Sequence, residues 1–210
     1  MEQDESPAGG VIPHWYDPDS QRLTLVEGDG TTVTDADGND YLDFISQLYC
    51  CNAGHGNDHI VSAVEDQLRR IPYVASAKHN DARSRLAADL IDIAPDSLSD
   101  VFFAISGSEA NETAVHIARS VQDAQTVLTR WQSYHGGRAG AAALTGDPVT
   151  RKTAEQHAAT TNVGKFLPPL PKAFDADSPA DLAKQAADHV EFVIRNEGPD
   201  TVAAILIEPI

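Results

Sequence analysis

The sequence predicts an α/β fold, in which a mostly parallel sheet with crossover helices follows a small N-terminal α+β segment. Short apolar runs alternate with longer helical patterns from residue 100 onward, which is the order of strand–helix–strand units. The run VAAILI at residues 202–207 is wholly apolar, as expected of a strand in a parallel sheet covered on both faces. Residues 22–45 instead alternate in short pieces around Gly-containing turns, and this pattern predicts a small β-meander.

This organisation divides the chain into three parts. A polar, Pro-containing arm occupies residues 1–20. The N-terminal part of a small domain, a meander and a helix, occupies residues 21–75, and the N-terminal part of a larger α/β domain occupies residues 76–210. Because a central strand needs neighbours and the chain stops directly after the run 202–207, we expect the larger domain to be incomplete.

Hydrophobic periodicity places the remaining elements. Apolar residues recur at helical spacing from Ile60 to Leu68, again over residues 82–94, and again over residues 179–197. A short apolar run at residues 125–131 predicts another buried strand. Residues 148–177 show little hydrophobic periodicity, and an irregular stretch of that length more often has a function than serves only as a connection.

The chain is strongly acidic, with 32 Asp and Glu residues against 15 Lys and Arg residues and a formal net charge of −17. Such a surface repels nucleic acid and anionic membranes, because binding to phosphates needs clustered Lys and Arg. A surface rich in acids and poor in lysine is typical of a halophilic protein, since a salty cytoplasm screens the repulsion between carboxylates. The alternative is an ordinary acidic cytosolic protein.

Cysteine usage and the N-terminus indicate the compartment. Cys50 and Cys51 are adjacent, a spacing that strains a disulfide, and no Cys/His cluster suits a metal ion. The first ten residues are polar and acidic, without the apolar core of a signal peptide, and no apolar run reaches transmembrane length. We therefore expect a cytoplasmic protein with reduced thiols, no metal site and no membrane association.

The stretch from Val101 to Arg119 is the most informative in the sequence. The apolar run at residues 101–105 predicts a strand, which a turn containing Gly107 and Ser108 joins to a helix. The free N–H groups and the positive dipole end of such a helix form an anion site, which Gly107 leaves accessible and Ser108 extends with a hydroxyl donor. The alternative is a helix that is simply capped, by Ser106 or by Ser108.

Two other groups fall at the carboxyl ends of predicted strands, where α/β sheets place their ligand sites. Tyr134 and His135 come just after the strand at 125–131, and an aromatic ring there can stack on a flat cofactor. Glu208 follows the last strand, and Pro209 stops the sheet ladder after it. For Tyr134 the alternative is a core tyrosine beside a turn, and for Glu208 a carboxylate that caps a loop.

Taken together, four segments make the chain resemble the N-terminal portion of class III aminotransferases, the pyridoxal 5'-phosphate (PLP) enzymes of the omega-transaminase type. These segments are DADGNDYLDFISQLYCCNAGHGNDHIVSAVEDQ, SGSEANETAVHIAR, YHGGRAGAAALTG and AAILIEPI, and the resemblance extends from about Leu23 to Ile210. It implies PLP fold type I, with residues 76–210 as the N-terminal part of a PLP-binding large domain. Other fold type I enzymes, such as decarboxylases, racemases and mutases, remain alternatives.

The resemblance also implies roles for individual residues. Gly107 and Ser108 match the residues that hold the cofactor phosphate, and Tyr134 matches the aromatic that stacks on the pyridine ring, with His135 as its neighbour. Glu208 matches the carboxylate beside the ring, and we assign it a catalytic role. Tyr49 falls where the family often has an aromatic in the substrate pocket. The family further implies a homodimer that acts on amines or amino acids and keto acids.

One departure from the family concerns catalysis. The Asp that pairs with the pyridine nitrogen and the Lys that forms the Schiff base with the cofactor follow the IEP segment in the family, and neither has a counterpart here. None of the five lysines has a matching context, and Lys165 and Lys172, beside a Pro-rich loop, are expected to be solvated surface residues. We expect the chain alone to be inactive and to need its missing half. A non-catalytic fragment and a dimerisation or regulatory module are the alternatives.

Overall fold

The computed structural model describes residues 22–154 and 162–209, and the chain divides into two compact units. One unit ends at Leu86 and the other begins at Ala87. The arm predicted for residues 1–20 lies outside the described residues. Within the described ranges, no helix is long and apolar enough to cross a membrane.

The first unit contains the predicted β-meander. Its three antiparallel strands lie in the order β1-β2-β3, which confirms the pattern of short alternating pieces between tight turns. A one-turn element and two helices follow the sheet, and the boundary between Leu86 and Ala87 falls within the second of these helices. The elements are β1 (Leu25–Asp29), β2 (Thr32–Asp35), β3 (Asp40–Leu42), α1 (Ser46–Tyr49), α2 (Asp58–Arg70) and α3 (Asp81–Ile93).

A single carboxylate organises the hairpin between β2 and β3. Asp35 is only 5% exposed, and its oxygens accept hydrogen bonds from the N–H groups of Asp37 and Asn39 and from the hydroxyl of Tyr41. The Asn39 side-chain amide donates to the same carboxylate. These donors, the Asn39 backbone N–H foremost, lower the pKa of Asp35 from 3.8 to about 2.

This hairpin is therefore expected to weaken in acid. Because the pKa of Asp35 is lower in the folded chain than in the unfolded one, its stabilising contribution is complete above about pH 4 and is lost as the pH falls toward 2. Chemical denaturation of the wild type and of Asp35→Asn between pH 2 and pH 6 should show a difference in unfolding free energy that shrinks through this window. A difference that stays constant with pH would contradict the assignment.

The second unit is built on a parallel sheet in the order β5-β4-β6, which confirms the predicted sheet type. The central strand carries the core, since Val127 and Leu128 are fully buried. Among the described residues, one helix precedes the first strand of this sheet, and three helices and a short 3-10 turn connect the strands. The elements are α4 (Gly107–Gln122), β4 (Thr126–Arg130), α5 (Ala139–Leu144), α6 (Pro148–Ala154), β5 (Val163–Phe166), α7 (Pro179–Glu197), the 3-10 turn Pro199–Thr201 and β6 (Val202–Leu206).

Two predictions about this unit were wrong. Residues 101–105 do not form a strand, because no strand among the described residues pairs with them, and Phe102 and Ile105 remain exposed. The stretch 148–177 contains α6 and β5, which are too short to produce a clear periodicity.

The strand β6 forms, as predicted, at Val202–Leu206. Among the described residues it pairs with β4 alone, and Ile205 is 41% exposed.

Candidate active site

The N-terminus of α4 is capped by the residue just before it. The Ser106 Oγ accepts a hydrogen bond of 3.2 Å from the Glu109 N–H, and the Glu109 carboxylate accepts one of 2.8 Å from the Ile105 N–H. This reciprocal arrangement is close to a capping box. Since Ser106 provides the cap, the hydroxyl of Ser108 is not needed for it.

Beyond the cap, the first turn of α4 has backbone N–H groups that are available to a ligand. In the part of the chain that the structure describes, no protein atom accepts a hydrogen bond from the N–H groups of Gly107 and Ser108. A Cβ added at Gly107 would have no atom within 4 Å, so space is open beside the backbone. Two N–H donors, open space and the helix dipole together suit a phosphate group.

The turn that carries Tyr134 and His135 packs directly against this helix end. Gly136 has a φ of +132°, and a Cβ at this position would lie 2.4 Å from the Ser108 Oγ and 2.8 Å from the Ala141 Cβ. Only glycine fits such a close approach in this backbone conformation. The fold therefore brings the two sequence motifs, SGSEAN and YHG, into contact.

Side chains from three different segments hold the backbone of the turn. The Tyr134 N–H donates to the Glu208 carboxylate over 2.9 Å, and the His135 N–H donates to the Thr145 hydroxyl over 3.0 Å. The Asn111 side-chain amide donates to the His135 carbonyl over 2.7 Å. The structure thus brings together Ser108, Tyr134, His135 and Glu208, as their positions at helix and strand ends predicted.

Sequence reasoning missed Asn111 and Thr145. Both lie within the quoted motifs, Asn111 one helical turn after Gly107 and Thr145 at the end of an apolar alanine-rich run. A polar residue that interrupts or ends a buried segment needs a hydrogen-bond partner, and this was the available signal.

The two rings of the turn have different environments. Tyr134 is 43% exposed, so its ring can stack on a ligand, whereas His135 is only 5% exposed. Burial lowers the pKa of His135 below its ordinary value, although the charge of Glu208 acts in the opposite direction. Its Nε2 is buried, and no partner for it exists among the described residues. The ring of His135 is accordingly buried in the protein, where it is not available to stack on a ligand.

Tyr49, the predicted substrate-pocket residue, lies in the first unit. It ends α1, whose four residues all have positive φ, from 47° at Ser46 to 67° at Tyr49, so that the turn is left-handed. The carboxylate of Asp43 secures this turn, because it accepts from both the backbone and side-chain amides of Gln47 and pairs with His55 at 2.9 Å. The hydrogen bond from His55 lowers the pKa of Asp43. Tyr49 is 78% exposed.

Lys165 is not the solvated residue that its Pro-rich context predicted. It lies on β5, and its ammonium donates to the carbonyls of Ala143 and Leu144, at 2.9 and 3.2 Å, and to the Thr129 hydroxyl at 3.3 Å. A cation at the last carbonyls of α5 complements the helix dipole. Lys172 is exposed, as expected.

The chain is similar to known proteins in sequence and in fold. The family model described as Aminotransferase class-III matches residues 15–210. A probable gamma-aminobutyrate transaminase 2 of Oryza sativa subsp. indica is 30% identical over 93% of this chain. Among solved structures, taurine:2-oxoglutarate aminotransferase from Bifidobacterium kashiwanohense, in complex with PLP and glutamate, is 30% identical over 95% of this chain with a TM-score of 0.87. The PMP-bound aminotransferase of Vibrio fluvialis is 26% identical over the whole chain, also with a TM-score of 0.87.

The match covers only part of each relative. The chain spans 41% of the rice protein, 45% of the Bifidobacterium chain and 49% of the Vibrio chain. The fold is accordingly that of fold type I PLP transaminases over about half their length. With the family model matching nearly all 210 residues and the two motifs in contact at the sheet edge, the chain belongs to the class-III aminotransferases.

Proposed function

We propose that this chain supplies the phosphate- and ring-binding part of a PLP-dependent aminotransferase. The reaction moves an amino group from an amine or amino-acid donor to a keto-acid or aldehyde acceptor. The observation that carries the proposal is the contact between the α4 N-terminus and the turn of Tyr134, which places an anion cradle beside an accessible aromatic ring. Both parts lie in the second unit.

The cofactor is pyridoxal 5'-phosphate, and the residues present fit it. Its phosphate would be held by the N–H groups of Gly107 and Ser108 and by the Ser108 hydroxyl, while Tyr134 covers one face of its ring. When bound, PLP supplies an electron sink for the bond that is broken at the amine carbon. Open space at Gly107 allows the phosphate to approach the backbone.

Glu208 acts next to that ring. One of its oxygens, Oε2, accepts the Tyr134 N–H, and this bond fixes the carboxylate at the end of β6. Its second oxygen, Oε1, is then available to hold a proton or a hydroxyl group on the cofactor side. We assign Glu208 a catalytic role on this basis, and Tyr49 a role in choosing the amine substrate.

The lysine that binds PLP covalently and the Asp that pairs with the pyridine nitrogen are not assigned to any residue of this chain. Lys165 is committed to carbonyl and hydroxyl oxygens, and Lys172 and Lys184 are exposed. We therefore propose that these two groups come from polypeptide beyond the 210 residues, and that the chain alone does not turn over. We further propose a cytoplasmic homodimer in which high salt screens the net charge of −17.

Replacing Ser108 with alanine should weaken PLP binding by about 1 kcal/mol or more, because a hydrogen bond to a charged phosphate is lost. Titration of the apoprotein with PLP measures the change. Ser106→Ala is the matched control, since it removes a helix cap without removing a phosphate donor. Equal affinity in the wild type and in Ser108→Ala would contradict the role of Ser108.

The proposed function is tested by the intact mass of the protein from its native cells after borohydride reduction. A mass about twice the 22.5 kDa of this chain, with one pyridoxyl adduct, is the expected result. A protein of 22.5 kDa with no adduct, alone or bound to an intact aminotransferase, would overturn it and favour the non-catalytic fragment or the regulatory module.

A further inference from the structure

We propose that Thr145 is a positioning residue of this site: its buried hydroxyl fixes the turn that carries Tyr134 and so sets the position of the ring relative to the α4 N-terminus. This inference rests on the proposed function, because it assigns a task to a residue that would not touch the cofactor. Two sets of hydrogen bonds support it: those of the Thr145 hydroxyl to the turn, and those of the backbone next to Thr145.

The hydroxyl of Thr145 makes two hydrogen bonds to the turn. Its Oγ1 accepts from the His135 N–H over 3.0 Å and donates to the Gly136 carbonyl over 2.9 Å, with the Ala141 carbonyl at 3.3 Å as the other acceptor in reach. A hydroxyl has one proton and two lone pairs, so it can make the first two bonds at once. Thr145 is 0% exposed, so water does not replace it.

The position of Thr145 is itself fixed by backbone pairs. The Gly146 N–H donates to the Ser133 carbonyl over 2.8 Å, and the Gly146 carbonyl accepts from the Gln132 N–H over 3.0 Å. These bonds tie the segment after Thr145 to the segment that leads into the turn. The backbone on the C-terminal side of Thr145 is therefore itself hydrogen-bonded, which fixes Thr145 beside the turn.

Two contacts connect the turn with the first residues of α4. Asn111, on α4, donates to the His135 carbonyl over 2.7 Å, and the Ser108 side chain lies against Gly136. A displacement of residues 134–136 would thus change the distance between the ring of Tyr134 and the first turn of α4. Since a cofactor must meet both at once, we expect its affinity and its orientation to respond to Thr145.

A matched control distinguishes an effect on the position of the turn from a general effect on the stability of the fold. Thr129 is also 0% exposed. Its hydroxyl donates to the Leu144 carbonyl over 2.8 Å and accepts from the Lys165 ammonium over 3.3 Å, but it makes no hydrogen bond to the turn. Thr129→Val and Thr145→Val therefore remove the same group from two equally buried positions. Thr145→Ser keeps the hydroxyl and serves as the conservative rescue.

The experiment measures the PLP dissociation constant of the whole protein and the circular dichroism of the bound cofactor at saturation. For Thr145→Val we expect binding weakened by about tenfold, as for one to two lost hydrogen bonds, together with a smaller cofactor dichroism. Thr145→Ser and Thr129→Val should both match the wild type. Affinity for inorganic phosphate should be unchanged in all variants, since the donors of α4 are intact.

Two results would overturn the inference: Thr145→Val with wild-type affinity and dichroism, or Thr129→Val with the same losses as Thr145→Val. If Thr145→Val does not fold, Thr145→Cys replaces it, because the thiol is of similar size and only a weak hydrogen-bonding group. Unchanged dichroism in Thr145→Cys would then overturn the inference. Failure of the wild type to bind PLP would instead overturn the proposed function, so the two failures are distinguishable.

Discussion

Replacement of Gly136 by alanine is expected to lower the affinity for PLP by about 100-fold. The new Cβ would lie 2.4 Å from the Ser108 Oγ and 2.8 Å from the Ala141 Cβ, and the φ of +132° is itself unfavourable for any residue with a side chain. The turn and the α4 N-terminus must then separate, which displaces Tyr134 from the phosphate donors. The loss of PLP affinity therefore comes from the displaced binding groups as well as from the lower stability of the fold.

Gly137→Ala is the control for this variant. A Cβ at Gly137 meets only the Tyr134 hydroxyl at 3.8 Å, which is an ordinary contact. The dissociation constants of both variants, measured by titration with PLP, should therefore differ by about the same 100-fold. Similar affinities for the two variants would show that the contact between Gly136 and Ser108 is not needed for binding.

Gly146→Ala is expected to destabilise the second unit by about 3 kcal/mol, the upper end of the usual cost of overpacking. A Cβ at this position would lie 2.2 Å from the Arg130 carbonyl oxygen and 2.8 Å from the Trp131 Cα. Both are backbone atoms at the end of the central strand, so no rotamer change can relieve the clash. The hydrogen bonds between Gly146 and residues 132–133 would be disrupted as well.

Urea denaturation followed by circular dichroism measures this effect. Gly140→Ala provides the comparison, because the nearest atoms to its Cβ belong to the flexible side chain of Glu112, at 3.3 to 3.5 Å, and alanine favours the helix that begins there. We expect its unfolding free energy to stay within about 1 kcal/mol of the wild type. Gly146→Ala with a stability equal to that of Gly140→Ala would refute the steric account.

Hydrophobic periodicity and capping residues predicted the elements whose hydrogen bonds are local, such as helices. The helix at Pro179–Glu197 has a clear period and an N-cap serine, and the structure gives it the predicted bounds. Residues 101–105 are equally apolar, yet a strand exists only where another strand pairs with it, and the sequence does not report pairing. The environment of Lys165 was unpredictable for the same reason. Its ammonium binds the carbonyls at the end of α5, and the sequence does not show that this helix end lies next to β5.

The candidate site was predictable to the extent that it follows from topology. Ser108, Tyr134 and Glu208 come at ends of elements that a parallel sheet brings to one edge, and the structure does bring them together. Asn111 and Thr145 act through hydrogen bonds to a backbone turn, and such bonds depend on distances that no spacing rule supplies.

The left-handed backbone of α1 has a consequence for how this region can vary. Each L-residue in that conformation costs about 1–2 kcal/mol, and Asp43 and His55 are the partners that hold the turn in place. Glycine or asparagine would relieve the cost at residues 46–49, whereas valine, isoleucine or threonine would increase it. At Tyr49 the backbone conformation therefore disfavours β-branched replacements, so variants that keep this turn are expected to carry glycine, asparagine or another side chain without a branch at Cβ.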